Sequence, residues 1–263
     1  MAADSACSGT WSEERMMAAA GIAGGWEGAA DVHPEFVRLA RRLISGRPVI
    51  CDIGSRDALA GIALMRLLEG KQLHVFEPNP SAAKICRQNL LIFAGDRPDV
   101  AFFNEVAVAD TVGPRKFYPV NITLSDNKDM GFSSLFRINP DYTKRRGRIV
   151  QDEVTVHATT LDEYFVGKQN PDILWIDVEG AELQVVRGAT HVLADVRLIH
   201  AEVSFRPMQL GKPLFWEISR FLKKQGFSFY GFMEISALRG FLYRYRLLPN
   251  LPWRLNAVFC RQK

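Results

Sequence analysis

Three carboxylates stand where apolar runs stop. Val49-Ile50-Cys51-Asp52-Ile53 carries Asp52, Leu73 to Phe76 runs into Glu77, and Ile173-Leu174-Trp175-Ile176 runs into Asp177. Continuous apolar runs of this kind suit strands buried on both faces. Acids at such strand ends line one edge of a sheet, where α/β proteins bind their ligands. Glu77 follows Asp52 by 25 residues, and a carboxylate there can accept two hydrogen bonds from a ribose diol. Gly54 comes just after the first run, and a residue without Cβ lets backbone approach a ligand closely. A dinucleotide is disfavoured, because G-x-G-x-x-G needs a glycine where Arg56 stands. Asp52 would also repel a pyrophosphate. Asp52, Gly54 and Glu77 together suit a nucleoside that carries a positive group and no phosphate.

The elements that must position these groups follow from the spacing of apolar residues. His33-Pro34 opens a helical pattern through Leu43, stopped by Gly46 and Pro48. Helices are expected over Asp57 to Leu68, Ser81 to Phe93 with Ser81 as its cap, Thr160 to Val166, Ala181 to Ala194 and Pro213 to Gln225. Strands are expected at Val49–Ile53, Leu73–Phe76, Val100–Val108, Val154–His157, Ile173–Asp177, Val196–Ser204, Phe227–Phe232 and Asn256–Arg261. Gly113-Pro114 marks a turn, and Asn121 to Arg148 reads as a long functional or mobile loop. Strand and helix alternate, which predicts an α/β domain with a mostly parallel sheet.

Composition narrows the class. The chain has 263 residues, 48% of them hydrophobic, enough for a full core without staples. No apolar run is long enough for a transmembrane helix. The net charge of +4 is too mild to name nucleic acid as the partner. The four cysteines, Cys7, Cys51, Cys86 and Cys260, match no zinc or disulfide pattern, so a reducing, cytoplasmic location is expected. Residues 1–31 read as a weakly ordered extension without a secretory signal, with a short helix around Glu13 to Ala20. Residues 32–263 read as a single domain, with a loop insertion near 111–158.

One combination of motifs is more specific. Phe76-Glu77-Pro78-Asn79-Pro80, Ala107-Val108-Ala109-Asp110, Ser133-Ser134-Leu135, Thr160-Leu161-Asp162 and Ile176-Asp177-Val178-Glu179-Gly180-Ala181-Glu182, with Gly188 and Glu202 in order, resemble the FkbM family of S-adenosylmethionine-dependent methyltransferases. The resemblance runs from about Val49 to Glu202. It implies the Rossmann-like class I methyltransferase fold, a mostly parallel seven-stranded sheet with helices on both faces. It also implies S-adenosyl-L-methionine as cofactor. The nucleoside pocket is then assigned to Asp52, Gly54, Ser55, Glu77, Asn79 and Asp177, with Glu105 and Val106 beside Asn104 as the adenine wall. The family usually reads D-x-G-A-N-x-G in the first loop. Here Gly54 is followed by Ser55, Arg56 and Asp57, with Ala58 at the second glycine. Arg56 would either close over the cofactor carboxylate or crowd the site, and binding is expected to be retained.

The implied reaction is methyl transfer to a hydroxyl of a sugar, glycan, glycolipid or natural-product acceptor. Its proton must leave, and the catalytic candidates are Asp177, Glu179 and Glu202. Glu179 is our choice of base, since a carboxylate of raised pKa suits hydroxyl abstraction. The plain alternative is that Glu179 and Glu182 favour a helix N-terminus. Asp177 and Glu202 are hard oxygen ligands that would suit Mg²⁺, but a metal-free site is expected. His200 lies in an apolar strand and reads as a satisfied core histidine, whereas His157 stays a spare candidate. Ser133 and Ser134 are expected near the mouth.

Two other roles remain open. One is a catalytically degenerate S-adenosylmethionine-binding partner protein, and the other is an RNA methyltransferase. Asp177-Val178-Glu179-Gly180 lacks the Pro-Pro that base-amine methylation needs. After Glu202 there are 11 basic and two acidic residues, and Arg239, Tyr243, Arg244, Tyr245, Arg246, Trp253 and Arg254 interleave bases with aromatics. That stretch, with Lys144-Arg145-Arg146-Gly147-Arg148, suits an anionic or lipid-linked acceptor.

Overall fold

The computed structural model describes residues 32–126, 130–233 and 253–262. The expected elements and site residues lie within these ranges, apart from the N-terminal extension with its short helix, Cys7, residues 127–129 of the long loop, and the basic aromatic stretch from Arg239 to Arg246, which fall outside the described residues.

Five parallel or near-central strands carry the sheet. They are β1 (Val49–Ile53), β2 (Gln72–Phe76), β3 (Ala101–Asn104), β7 (Ile173–Ile176) and β8 (Leu198–Ser204). With β9 (Phe227–Phe232) and β10 (Arg254–Arg261) they form a seven-stranded sheet in the order β3-β2-β1-β7-β8-β10-β9. All pairs are parallel except those of β10, which runs antiparallel to β8 and β9. The apolar runs of β1 and β7 are buried at every residue, as strands covered on both faces must be. Successive residues alternate between two cores. Cys51, Ile53, Leu174 and Ile176 pack with α5 (Leu161–Tyr164), α6 (Glu182–Arg187) and α7 (Phe215–Lys224). Ile50, Ile173 and Trp175 pack on the other face with α1 (Pro34–Leu43), α2 (Leu59–Leu67) and α3 (Pro80–Ala94).

The sheet thus has helices on both faces, as expected for the class I methyltransferase fold. Strand order reverses between β1 and β7. The chain builds outward through β2 and β3, then returns to the other side of β1. A crevice opens at such a reversal, beyond the carboxyl ends of the strands.

Several expectations need correction. The stretch Val100–Val108 is not one strand. It splits around Glu105 into β3 and β4 (Ala107–Val108), and β4 joins a second sheet with β5 (Gly113–Phe117) and β6 (Val154–Thr159) in the order β4-β6-β5. Apolar side chains continue across the split, so the pattern hides it. Gly113-Pro114 does not merely turn; both residues pair in β5 against β6. The long loop contains α4 (Pro140–Arg146), capped by the Asn139 side chain, and a 3₁₀ turn at Met130–Phe132. Asn79, not Ser81, caps α3; its side chain accepts from the Ser81 amide. The helix from Ala181 breaks at Gly188, where a Cβ would stand 3.1 Å from the Ala109 carbonyl carbon and closer still to its oxygen. Only a glycine lets α6 dock there. Val192–Ala194 then forms a separate 3₁₀ turn.

Candidate active site

The crevice holds a cavity of about 470 Å³, within the roughly 300–1,000 Å³ usual for small-molecule sites. Its lining includes Asp52, Gly54, Ser55, Glu77, Asn79, Val106 and Asp177 from the expected cofactor set, and Glu179 and Glu202 from the expected catalytic set. Sheet register explains the convergence. Asp52 pairs with Trp175, which pairs with His200, so β1, β7 and β8 end together.

Gly54 serves two close approaches. It lies at φ +79°, and a Cβ there would stand 2.8 Å from the Asp177 carbonyl carbon and closer to its oxygen. The glycine therefore lets the first loop lie against the end of β7, in addition to facing the cavity. The carboxylate of Asp52 ties this loop down. Its Oδ2 accepts from Ser55 Oγ at 2.6 Å and from the Gly61 amide at 3.0 Å. Burial pushes the Asp52 carboxyl up to about 7, against the pull of those two hydrogen bonds. Glu77 is also buried. Its Oε1 accepts from the Asn79 amide at 2.7 Å and its Oε2 from the Arg56 amide at 3.1 Å. Burial raises its carboxyl to about 7 as well. Arg56 and Ala58 hold left-handed backbone, φ +50° and +65°, at the positions where the loop departs from its family pattern. Arg56 lines the cavity, with its guanidinium 3.5 Å from Asp57.

Glu105 does not reach the cavity. It is exposed and paired with Arg87 of α3 at 2.5 Å, while its neighbours Val106, Ala107 and Val108 turn into the lining. The Asn104 side chain is also engaged elsewhere, with Val75 O and Tyr164 Oη. His157 is exposed on β6 and lies apart from the site. His200 is buried and stacks on Trp175, rings 3.5 Å apart and 5° from parallel. Its Nδ1 has no partner among the described residues, so it is a core histidine but not a satisfied one. Burial lowers its pKa to about 3, which keeps it neutral.

A carboxylate cluster occupies the far end. Oxygens of Asp177, Glu179 and Glu202 lie within 4.8 Å of one another, a spacing that would also suit a cation. Arg254 Nη1 donates to Glu179 Oε1 at 2.9 Å and to Glu202 at 3.0 Å. Gln209 Nε2 donates to the other Glu179 oxygen at 3.2 Å. Burial first, then the charges of Glu202 and Asp177, raises Glu179 well above the usual carboxylate range. Burial raises Glu202 also. Glu179 itself holds a left-handed backbone, φ +51°, and Ser134 Oγ donates to its carbonyl at 2.8 Å. Ser133 Oγ meets Val120 N and Asn79 Nδ2 at the cavity wall. Glu182 is buried behind, one oxygen on the Gly180 amide, beside the buried Lys212. Sequence reasoning missed Gln209 and Lys212, which carry no motif, and saw Arg254 only as part of a basic stretch.

A family model described as Methyltransferase FkbM domain matches residues 52–229. The chain belongs to the FkbM methyltransferase family. This FkbM-family chain is an S-adenosylmethionine-dependent methyltransferase. It is 31% identical over 184 residues to the 2-O-methyltransferase NoeI of Sinorhizobium fredii, covering 69% of this chain and 72% of that relative. It is also similar to the crystal structure of Methyltransferase FkbM from Methylobacillus flagellatus KT, at 12% identity and a TM-score of 0.50. That match covers 88% of this chain and 49% of the other, so this chain spans about half the length of that structure. The second likeness speaks to the fold alone. Among the described residues, no helix of this FkbM-family enzyme is long and apolar enough to cross a membrane.

Proposed function

We propose that this enzyme transfers a methyl group from S-adenosylmethionine to a hydroxyl of a sugar, glycan, glycolipid or natural-product acceptor. The observation that carries the reading is the Asp177–Glu179–Glu202 carboxylate cluster at one end of a cavity whose other end suits a nucleoside. The similarity to a 2-O-methyltransferase supports the oxygen acceptor.

The cavity residues fit the cofactor. Glu77 keeps a lone pair on each oxygen beyond its backbone bonds, enough to accept a ribose diol. Asp52 and Asp177 add negative charge beside the first loop, which favours a sulfonium and an ammonium. Asn79, Ser55 and Gly54 shape that wall, and Val106, also in the lining, is the side chain we assign to the adenine. When bound, the cofactor supplies a methyl on positive sulfur, which leaves as the neutral thioether when the acceptor oxygen forms the new C–O bond. The chain's own work is to align that oxygen, exclude water and receive its proton. Glu179 receives the proton, because it lines the cavity, burial raises its pKa, and Arg254 and Gln209 hold it still. Asp177 lies at the junction of the two halves of the site.

The test is a panel of methyl glycosides of common hexoses and deoxyhexoses, with S-adenosylmethionine, read by mass spectrometry for a gain of one methyl. Glu179→Gln is expected to slow turnover about 10²–10⁴-fold with cofactor affinity kept. Turnover at the parent rate would leave Glu179 as a helix-start acid. Cofactor binding without methylation of any hydroxyl would favour a partner protein.

A further inference from the structure

We propose that Arg254 is the built-in cation of the carboxylate cluster, a positioning residue that holds Glu179 and Glu202 against each other's charge. The proposal rests on the hydroxyl-methylation reading above and adds a residue to it. Arg254 lies beyond residue 229, where the family match ends, so the resemblance does not supply it.

Three carboxylates with oxygens inside 4.8 Å of one another repel unless a positive group sits among them. A divalent ion is one solution for such hard oxygen donors. Here a single nitrogen, Arg254 Nη1, stands 2.9 Å from Glu179 and 3.0 Å from Glu202, in the position such an ion would take between those two. Strand register delivers it. On the antiparallel pair β8 and β10, Asn256 lies opposite Glu202 and Arg254 opposite Ser204, so Arg254 and Glu202 are diagonal neighbours on one face. The guanidinium is flanked by the Phe132 ring, 5.7 Å from its centroid. Its side chain is 39% exposed and lines the cavity, so it can be changed without emptying the core. Among the described residues Lys212 is a second cation near these acids, and its charge also lowers Glu179, Glu182 and Glu202, but through space rather than by a hydrogen bond.

The decisive measurement is Mn²⁺ binding, which needs no acceptor. Parent protein, Arg254→Ala, Arg254→Lys and the double variant Arg254→Ala with Glu202→Gln are titrated with Mn²⁺ and free ion is read by electron paramagnetic resonance. Arg254→Ala is expected to bind Mn²⁺ at least about tenfold more tightly than the parent, because hard carboxylate oxygens are released to an ion. The double variant should lose that gain. Arg254→Lys should bind no better than the parent, because one nitrogen makes both contacts and an ammonium can replace it. Equal Mn²⁺ affinity in the parent and Arg254→Ala overturns the proposal, as does a gain in Arg254→Lys equal to that in Arg254→Ala.

Turnover on the glycoside panel is the second readout. Arg254→Ala should lower kcat about 100-fold, with the dissociation constant of S-adenosylmethionine within about threefold and partial recovery in Arg254→Lys. If Glu179→Gln is slow but Arg254→Ala is not, Arg254 has no positioning role and the reaction stands. If Mn²⁺ binding behaves as stated but Glu179→Gln is fully active, the cluster is as described and the base assignment fails.

Discussion

Cofactor affinity should rise with pH between 6 and 8, and the two buried acids set the size of the effect. Asp52 is 1% exposed and Glu77 is 6% exposed, and burial brings each to about 7 in the free protein. A ribose diol or a sulfonium is best served by the ionised forms. With a pKa of about 7, a carboxylate is ionised in about one molecule in eleven at pH 6 and in about ten of eleven at pH 8. One group that must ionise on binding therefore tightens the complex about tenfold over that range, and two tighten it about 100-fold. Affinity is lost as pH falls through 7. The free protein shows the opposite sign. Its folded carboxyls titrate above their unfolded values, so their stabilisation is full below about 4 and is lost as pH rises through 7, at most on the order of 3–5 kcal/mol for each group. Thermal midpoints without cofactor should fall from pH 5 to pH 8, and S-adenosylmethionine should restore more at pH 8. The assay is calorimetric titration at several pH values in two buffers of different ionisation heat, which counts the protons released. Glu77→Gln cannot ionise there, so its profile should flatten by about one tenfold step. A dissociation constant constant within about twofold from pH 6 to 8, or the same slope in Glu77→Gln, would refute the reasoning.

Three substitutions test the surrounding frame. Gly54→Ala forces a Cβ into the Asp177 carbonyl at φ +79°, so we expect about 2–5 kcal/mol of destabilisation, a thermal midpoint lower by roughly 5–15 °C and weaker cofactor binding; a drop under about 2 °C counts against the packing. Ala58→Gly removes a left-handed penalty of about 1–2 kcal/mol while adding about 0.5–1 kcal/mol of chain entropy, so its midpoint should be unchanged or higher, and a clear fall would show that the Ala58 methyl is needed. Glu105→Ala should leave cofactor affinity within about twofold, since Glu105 is held only by a surface pair to Arg87, worth at most about 1 kcal/mol; a tenfold loss would return it to the adenine wall.

The sequence made the central strands legible because both faces of β1 and β7 are covered, so each is written as an apolar run with an acid at or beside its end, while β2 keeps Leu73, Val75 and Phe76 around His74 before Glu77. Those runs also placed Asp52, Glu77 and Asp177 at one edge, and the structure gathers them around one cavity. Less visible was anything set by contacts distant in sequence. The end of β3 turns into a second sheet without any change of residue type, which sent Glu105 outward and Val106 inward. The break at Gly188 depends on the carbonyl of Ala109, about 80 residues earlier. Arg254 joins Glu202 only through an antiparallel register that no local pattern records.

Glu179 is where these threads meet. A non-glycine residue at φ +51° sits at a cost of about 1–2 kcal/mol, and such strain persists only where its surroundings over-determine it. Ser134 grips its carbonyl, Gln209 one carboxylate oxygen and Arg254 the other, three residues drawn from separate segments of the chain. Acids that merely favour a helix start do so from within the first turn, through its field. Glu182 already provides that at α6, as its first residue. Glu179 stands three residues before Glu182, outside the helix, and its carboxylate is held by Arg254 and Gln209 rather than by first-turn amides, so the helix gains little from it. A buried acid that is strained, anchored at both ends and still in the cavity wall supports the proton-transfer role proposed for it. The same reasoning gives Arg254 its place, since without a cation Glu179 and Glu202 would be pushed apart and the anchoring would fail.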